Sequence, residues 1–599
     1  MRTAEAIQNS GSPAKAWLRA LELTTPIARN RDRILPTLLE EVAARLGDTP
    51  ALLSDRESLT YGALVERANR YARWALGQGL AKGDVVCLLM TNRPEYMAIW
   101  LGITSVGVVV SLLNTNLTGA SLAHCIRAVS PKQIIVASEC VDALTAALHY
   151  VEPSPAIWAH GGEDVPYPRI DLDLARCSAE PLTLDERRAT NIDDRALYIY
   201  TSGTTGLPKA ANVSHARVMQ WSHWFAGMME VQPSDRMYNC LPMYHSVGGV
   251  QVPGAMLVAG AAVVIREKFS ASSFWSDILR WDCTLFQYIG ELCRYLLHTA
   301  QSAQETEHRI RLACGNGLSA EVWDAFKDRF RIPRILEFYA ATEGSVSLFN
   351  AQGKSGAIGH IPSYLAHRFS PVLVVFDVER GEPARNQQGF CIRCAPNQAG
   401  EAISKVANDP SSIGSRFEGY TNQEASERKI LRNAFEPGDA WVRTGDLMRR
   451  DEKGFFYFVD RIGDTFRWKG ENVATSEVSE ALCAFPGVKH ANVYGVVVPG
   501  TEGRVGMATL VADGKLDLVG LRKHLASCLP AYARPLFLRI RSEVEVTGTF
   551  KYSKTELVRQ GYDPQASADA LYFDHLESGR FVQLNNDLYD RIQGGGIRL

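Results

Sequence analysis

Between residues 84 and 137 the chain alternates short, almost wholly apolar runs with stretches whose apolar positions recur every three or four residues. The runs 84–90, 108–113 and 133–137 have strand length, while the intervening stretches 94–106 and 122–129 have helical spacing. This alternation predicts an α/β fold in which sheets are covered by helices. The rhythm returns at 284–289 and 311–315, predicted strands, and at 291–297 and 320–330, predicted helices. No internal repeat or low-complexity tract suggests a solenoid.

From 372 the texture changes to short strands and turns, such as 389–394 and 454–459, punctuated by Gly, Pro and Asn. A β-rich subdomain at about 372–461 is therefore expected to close a large N-terminal domain spanning 1–461. A smaller α+β domain is expected at 462–562, with helices at 476–484 and 516–529 and strands at 489–498 and 536–540. The glycine-interrupted charged stretch 461–463 is the expected boundary, and 563–599, weakly patterned, is expected to be an extension on the surface. A chain of 599 residues is too long for one ordinary core, so a large and a small domain fit its size.

Two uncharged stretches, 97–113 and 237–265, approach or exceed the length of a membrane span. Gly102, Thr104, Ser105 and Gly107 interrupt the first, and Pro242, His245, Gly248, Gly249 and Pro253 the second, so both read as core. The N-terminal 1–14 holds no apolar run able to act as a signal segment, and a cytoplasmic location follows as the expectation. Peripheral contact with the inner face of the membrane and a homodimer stay open. Twelve scattered cysteines read as reduced thiols, and the pair Cys391 and Cys394 lacks a second pair for zinc. A formal charge of -2 gives no field to recruit nucleic acid, so substrate charge must be met locally.

The sharpest local signal runs from Tyr198 to Ala210, where an apolar strand enters a loop holding Thr201, Ser202, Gly203, Thr204, Thr205, Gly206 and Lys209. Glycines let backbone N–H groups turn toward an anion, hydroxyls donate further hydrogen bonds, and the lysine adds a point charge. The loop reads as a phosphate cradle, although a Ser/Thr/Gly surface turn has the same composition. Its spacing does not match the Walker pattern.

Word for word, 200–209 resembles the signature loop of the adenylate-forming superfamily. Further segments follow in that superfamily's order: Gly315-Asn316-Gly317, Tyr339-Ala340-Ala-Thr342-Glu343, Trp441-Val-Arg-Thr-Gly-Asp446, Asp460-Arg461 and Thr547-Gly-Thr-Phe-Lys551. The likeness covers roughly 59–557, and the run 460–478, with Leu241-Pro-Met-Tyr-His245 and Leu113-Asn-Thr-Asn116, is similar to the very-long-chain acyl-CoA synthetase and fatty-acid transport protein branch. Ser345 departs from that branch, where asparagine is frequent, and leaves fine substrate preference open.

The resemblance implies an ATP-dependent acyl-CoA ligase that joins a long-chain or very-long-chain fatty acid to coenzyme A through an acyl-adenylate. A bulkier acid, such as a bile acid or sterol-derived carboxylate, and a fatty-acid uptake role are the alternatives. It implies a nucleotide site built from 201–206, Lys209, Gly315, Asn316, Gly317, Tyr339, Ala340, Thr342, Asp446 and Arg461. Asp446 would accept both ribose hydroxyls, a task suited to a carboxylate. Lys551, Glu343 and Thr204 are the implied catalytic set, with Glu343 and Thr204 holding Mg2+. Gly463 is the implied hinge of a rotating small domain, and Lys469 and Gly470 line the implied coenzyme A channel. His245, Val247 and Gly248 open the uncharged stretch expected to wall the acyl pocket.

Overall fold

The computed structural model describes residues 12–201, 207–344, 346–366, 368–369, 371–406, 416–469, 471–499, 501, 503–512, 514, 516–541 and 554–597. They fall into two compact units, one of Met1–Ser370, Ser404–Leu431 and Ala440–Val442, the other of Pro371–Ile403, Arg432–Asp439 and Arg443–Leu599.

In the first unit a six-stranded sheet runs Ala156–His160, Gln133–Ala137, Val85–Leu89, Val109–Leu112, Arg195–Thr201 (β1) and Lys209–Ser214 (β2). Pairing is parallel as far as β1, and β2 turns back antiparallel to it. Every residue of Val85–Leu89 is buried, because a parallel strand covered on both faces has no side for water. The helix Pro94–Ser105 is likewise buried all round, which explains why its sequence is uncharged apart from Glu95. Ser214 ends β2 and starts the helix His215–Met229 (α1), its hydroxyl accepting from the Arg217 N–H at 3.2 Å. Glu230, in the left-handed region at φ 54°, stops that helix.

An eight-stranded sheet in the same unit carries, next to one another, Arg236–Asn239, Leu285–Ile289 (β3), Leu312–Asn316 (β4) and Ile335–Ala340 (β5). These strands are parallel, so their C-terminal ends and the turns after them lie along one edge of the sheet. The largest hydrophobic core joins side chains from both sheets, among them Leu88, Val110, Ile199, Met237, Leu285 and Leu312, with α1 and Pro94–Ser105.

The stretch 237–265 is shared between that core and a second one, as a strand, a π-helical turn Val247–Gln251, a helix Val252–Val258 and a strand Ala262–Ile265. Among the described residues no helix is long and apolar enough to cross a membrane. The π-turn packs directly on the preceding backbone, since a Cβ at Gly249 would lie 1.8 Å from the Met243 carbonyl oxygen. Gly249→Ala is therefore expected to cost on the order of 3 kcal/mol, read as a lowered melting temperature, because the neighbour is backbone and cannot step aside.

In the second unit Ala440–Arg450 (β6), which enters it at Arg443, pairs antiparallel with Phe455–Arg461 (β7). The expected strand at 389–394 is absent; only isolated bridges at Arg385 with Cys391 and Val374 with Arg393 form there, since the glycine-led segment follows a turn. A five-stranded sheet orders Val488–Val496, Val505–Ala512, Phe537–Arg541, Ala570–His575 and Arg580–Gln583. The segment 563–599 is thus more than a surface extension: it supplies the last two strands and the helix Asn586–Gln593, and buries Leu571, Phe573, Phe581, Leu584 and Ile592 in this core. Its strands are too short and too polar to have shown a period.

Candidate nucleotide and acyl site

Where β1 meets β2, Thr201 and Lys209 sit opposite each other in register. The expected contacts of Ser202, Gly203, Thr204, Thr205 and Gly206 lie outside the described residues. Along β2, Asn212 N–H donates to the Gly419 carbonyl and Thr421 N–H to that of Ala210, both at 2.9 Å, which fixes Tyr420 beside the start of β2. Lys209 Nζ stands 5.6 Å over the Tyr420 ring. The Tyr420 hydroxyl donates to Glu343 Oε1 at 2.6 Å, and Lys429 Nζ lies 3.6 Å from the same oxygen. Burial raises the Tyr420 phenol pKa, the Glu343 carboxylate adds to the rise, and a hydrogen bond with Thr201 opposes it. Tyr420 therefore stays a neutral donor that draws Thr201, Lys209 and Glu343 to one place.

Tyr339 and Ala340 end β5, and the segment after them is held from behind by Arg217 of α1. Arg217 Nη1 donates to the carbonyls of Thr342 at 2.7 Å and Gly344 at 3.1 Å, and its Nε stands 3.4 Å from Glu418 Oε1. Glu418 in turn accepts from Ser214 N–H at 2.7 Å and Ser214 Oγ at 2.6 Å. A buried guanidinium needs such partners, and an arginine within the mostly apolar run 216–229 was the signal for them. Sequence reasoning singled out neither Arg217, Glu418, Tyr420 nor Lys429.

The expected acyl segment joins the same neighbourhood. Ser246 Oγ and Thr342 Oγ1 lie 3.3 Å apart, and the His245 ring packs 4.5 Å from that of Tyr244. The Tyr244 hydroxyl accepts from Asn116 Nδ2 at 2.8 Å, and Asn239 Nδ2 donates to the Gly248 carbonyl at 2.7 Å. Val247 touches two of the hydrophobic cores.

Gly315, Asn316 and Gly317 complete β4 and its turn, with Gly317 in the left-handed region at φ 81°. Tyr288 on β3, Gly315 on β4 and Glu337 on β5 form one row across three strands. A Cβ at Gly315 would lie 2.5 Å from the Tyr288 ring, whose hydroxyl crosses over the glycine to donate to Glu337 Oε2 at 2.5 Å. Glu337 Oε1 accepts from Leu318 N–H at 3.1 Å, and the neighbouring Gly317 N–H favours the charged form of the carboxyl. Burial pushes the Glu337 carboxyl from its ordinary 4.5 up to about 8. A folded-state pKa above the unfolded one favours the fold at low pH and loses that support as pH rises from about 4.5 through about 8. Melting of wild type and Glu337→Gln across that range is expected to show wild type losing ground to the variant by a few kcal/mol.

In the second unit Asp446 on β6 pairs in register with Arg461 on β7, and Arg461 Nε lies 3.8 Å from Asp446 Oδ1. Gly445, at φ 79°, turns the strand just before Asp446, and its N–H donates to the fully buried Glu401 at 3.2 Å. Arg443 holds that carboxylate by both oxygens at 3.0 Å. Asp460 points into the fold: it accepts from Thr475 N–H at 2.6 Å and Thr465 Oγ1 at 3.0 Å, and burial raises its pKa. Gly463 lies in the turn after β7, Lys554 Nζ pairs with Asp464 at 3.0 Å, and Lys469 adopts φ 52° with its ammonium 5.5 Å over Trp468. The expected roles of Gly470 and Lys551 fall outside the described residues.

No group of three or more His, Cys, Asp or Glu side chains able to hold a metal occurs among the described residues. Mg2+ bound chiefly through substrate phosphates and one or two carboxylates needs no such cage, so Glu343 fits that mode.

Residues 39–389 match the AMP-binding enzyme family and residues 477–551 match the AMP-binding enzyme C-terminal domain. Long-chain fatty acid transport protein 1 of Mus musculus is 39% identical over 573 residues, covering 94% of this chain and 88% of that protein. The chain belongs to the AMP-binding enzymes of the long-chain fatty acid transport protein family. Long-chain fatty acid transport protein 6 of Homo sapiens is a further relative of this AMP-binding enzyme, 40% identical over 93% of its chain and 90% of the relative. The fold is that of adenylate-forming enzymes: the anthranilate CoA ligase AuaEII in complex with anthranoyl-AMP aligns with a TM-score of 0.73 at 19% identity, over 88% of this chain and 96% of that one. ATP-bound MatB from Rhodopseudomonas palustris gives 0.72 at 23% identity, over 88% and 98%.

Proposed function

We propose that this AMP-binding enzyme is an ATP-dependent acyl-CoA ligase acting on long-chain or very-long-chain fatty acids. The observation that carries the reading is the convergence on Tyr420 of Glu343 with Thr201 and Lys209, the residues that flank in sequence a segment rich in hydroxyls and glycine. A carboxylate is a poor acyl donor because its leaving group would be oxide. In the first step a carboxylate oxygen attacks the α-phosphorus of ATP, the bond to the bridging oxygen breaks, and pyrophosphate leaves. In the second the sulfur of coenzyme A attacks the acyl carbonyl and AMP leaves.

The 201–209 loop receives the phosphates, Tyr339 stacks on adenine, Asp446 accepts from the ribose hydroxyls, and Lys551 stabilises the charge that builds during adenylation. Glu343, with Thr204, would hold Mg2+, which when bound neutralises charge on the ATP phosphates. The small domain that begins at 462, its sheet completed by the strands of 563–599, turns about Gly463 between the steps and brings Lys469 and Gly470 to the coenzyme A channel. The relatives named as long-chain fatty acid transport proteins support a fatty acyl substrate. The apolar segment 247–265, which opens beside His245, would wall the alkyl chain. A cytoplasmic protein touching the inner membrane face would meet such a substrate without spanning the bilayer.

The test is pyrophosphate and AMP release over a panel of free carboxylic acids, with and without coenzyme A. Long alkyl acids are expected to give pyrophosphate alone, and acyl-CoA once the thiol is added. Preference for a sterol-derived acid would replace the fatty acyl reading, and silence with every acid would end the ligase reading.

A further inference from the structure

We propose that Glu337 is a positioning residue whose buried carboxyl sets the 315–318 turn in the geometry that receives the adenine of ATP. The proposal rests on reading that turn as a nucleotide contact. Glu337 is 1% exposed, and its carboxyl accepts from the Tyr288 hydroxyl and the Leu318 N–H, with the Gly317 N–H beside them favouring its charged form. One of those two donors, the Leu318 N–H, belongs to the turn itself. On the opposite side the turn has no slack, for a Cβ at Gly290 would lie 1.8 Å from the Gly317 carbonyl oxygen. The carboxyl draws in the N–H side while the Gly290 backbone abuts the carbonyl side, so the turn has one place to be.

Packing alone does not ask for an acid here. The core around it holds Phe286, Tyr288, Leu292 and Leu318, and an apolar side chain of similar volume would fill the space without the cost of burying a carboxyl. What an apolar residue would not supply is an acceptor for the Leu318 amide of the turn, which would then be left buried and unpaired. Gly315 belongs to the same device: its missing side chain is what lets the Tyr288 ring cross to Glu337.

The experiment measures pyrophosphate release by the full-length enzyme, fitting KM for ATP and for the acid separately and recording melting temperature. Glu337→Met removes the acceptors at similar volume and is expected to raise KM for ATP about tenfold while leaving KM for the acid within about twofold. Glu337→Gln keeps an oxygen for the Leu318 amide and is expected to restore KM for ATP to within about threefold of wild type. If Glu337 only holds the fold, Glu337→Met lowers the melting temperature and the active fraction with KM for ATP unchanged, and the proposal falls. Gly317→Ala, strained at its positive φ, separates the two readings. A raised KM for ATP in Gly317→Ala with none in Glu337→Met overturns the Glu337 assignment alone; no change in either overturns the nucleotide reading of the turn. Should Glu337→Met not fold, Tyr288→Phe decides, a raised KM for ATP supporting the proposal and an unchanged one ending it.

Discussion

Lys551→Ala is expected to lower carboxylate-dependent pyrophosphate release by about a thousandfold, while chemically prepared acyl-adenylate is still converted to thioester. Adenylation gathers negative charge where the carboxylate meets the α-phosphate, two anions that repel until a cation lies between them. An ammonium placed there would act where water is excluded, and loss of one such contact would remove about 3 to 4 kcal/mol of transition-state stabilisation. In the thioester step the acyl-adenylate already exists and a neutral carbonyl is attacked, so that demand is gone. Gly470→Leu is expected to give the reverse pattern, with normal pyrophosphate release and little acyl-CoA, since on the proposed reading a side chain there would fill the channel for the thiol. Undiminished pyrophosphate release by Lys551→Ala would show that another cation does this work.

Much of the first unit was readable because its strands carry the plainest signal a sequence has. Val85–Leu89 and Gln133–Ala137 are apolar on both faces, and the helix Pro94–Ser105 keeps its wholly buried character in the letters themselves. The strand at 133–137 kept its ends, that at 84–90 moved in by one residue at each, and the helix at 94–106 ended one residue sooner, as hydrogen-bonded boundaries do. Less was readable where partners are distant in the chain. Tyr420 is an ordinary tyrosine in a turn-rich stretch, and only the pairing of 419–421 with β2 makes it the neighbour of Thr201 and Glu343. Gly315 was legible as a glycine that mattered, yet its immediate reason is the Tyr288 ring lying over it from the next strand. The π-turn at Val247–Gln251 has no period of its own; its two glycines mark a close backbone approach without saying to what. Local pattern thus finds elements and loops, while the second layer that holds a site in place comes from long-range pairing.

That second layer makes Glu343 the next most demanding position. Glu343→Gln is expected to lower kcat/KM for ATP by about a hundredfold and to raise the magnesium concentration needed for half-maximal rate. The substitution keeps the side chain's shape and an oxygen to accept from Tyr420, so the 341–344 segment, held independently by Arg217, keeps its backbone course. What it removes is one negative charge, worth about 4 kcal/mol against a cation at about 4 Å under the effective screening of a protein surface. Tyr420→Phe takes away only the hydroxyl that orients the carboxylate, and is expected to cost about tenfold in rate with the magnesium requirement near that of wild type. A metal requirement identical in Glu343→Gln and wild type would leave the carboxylate with an orienting role only and move the metal to other ligands.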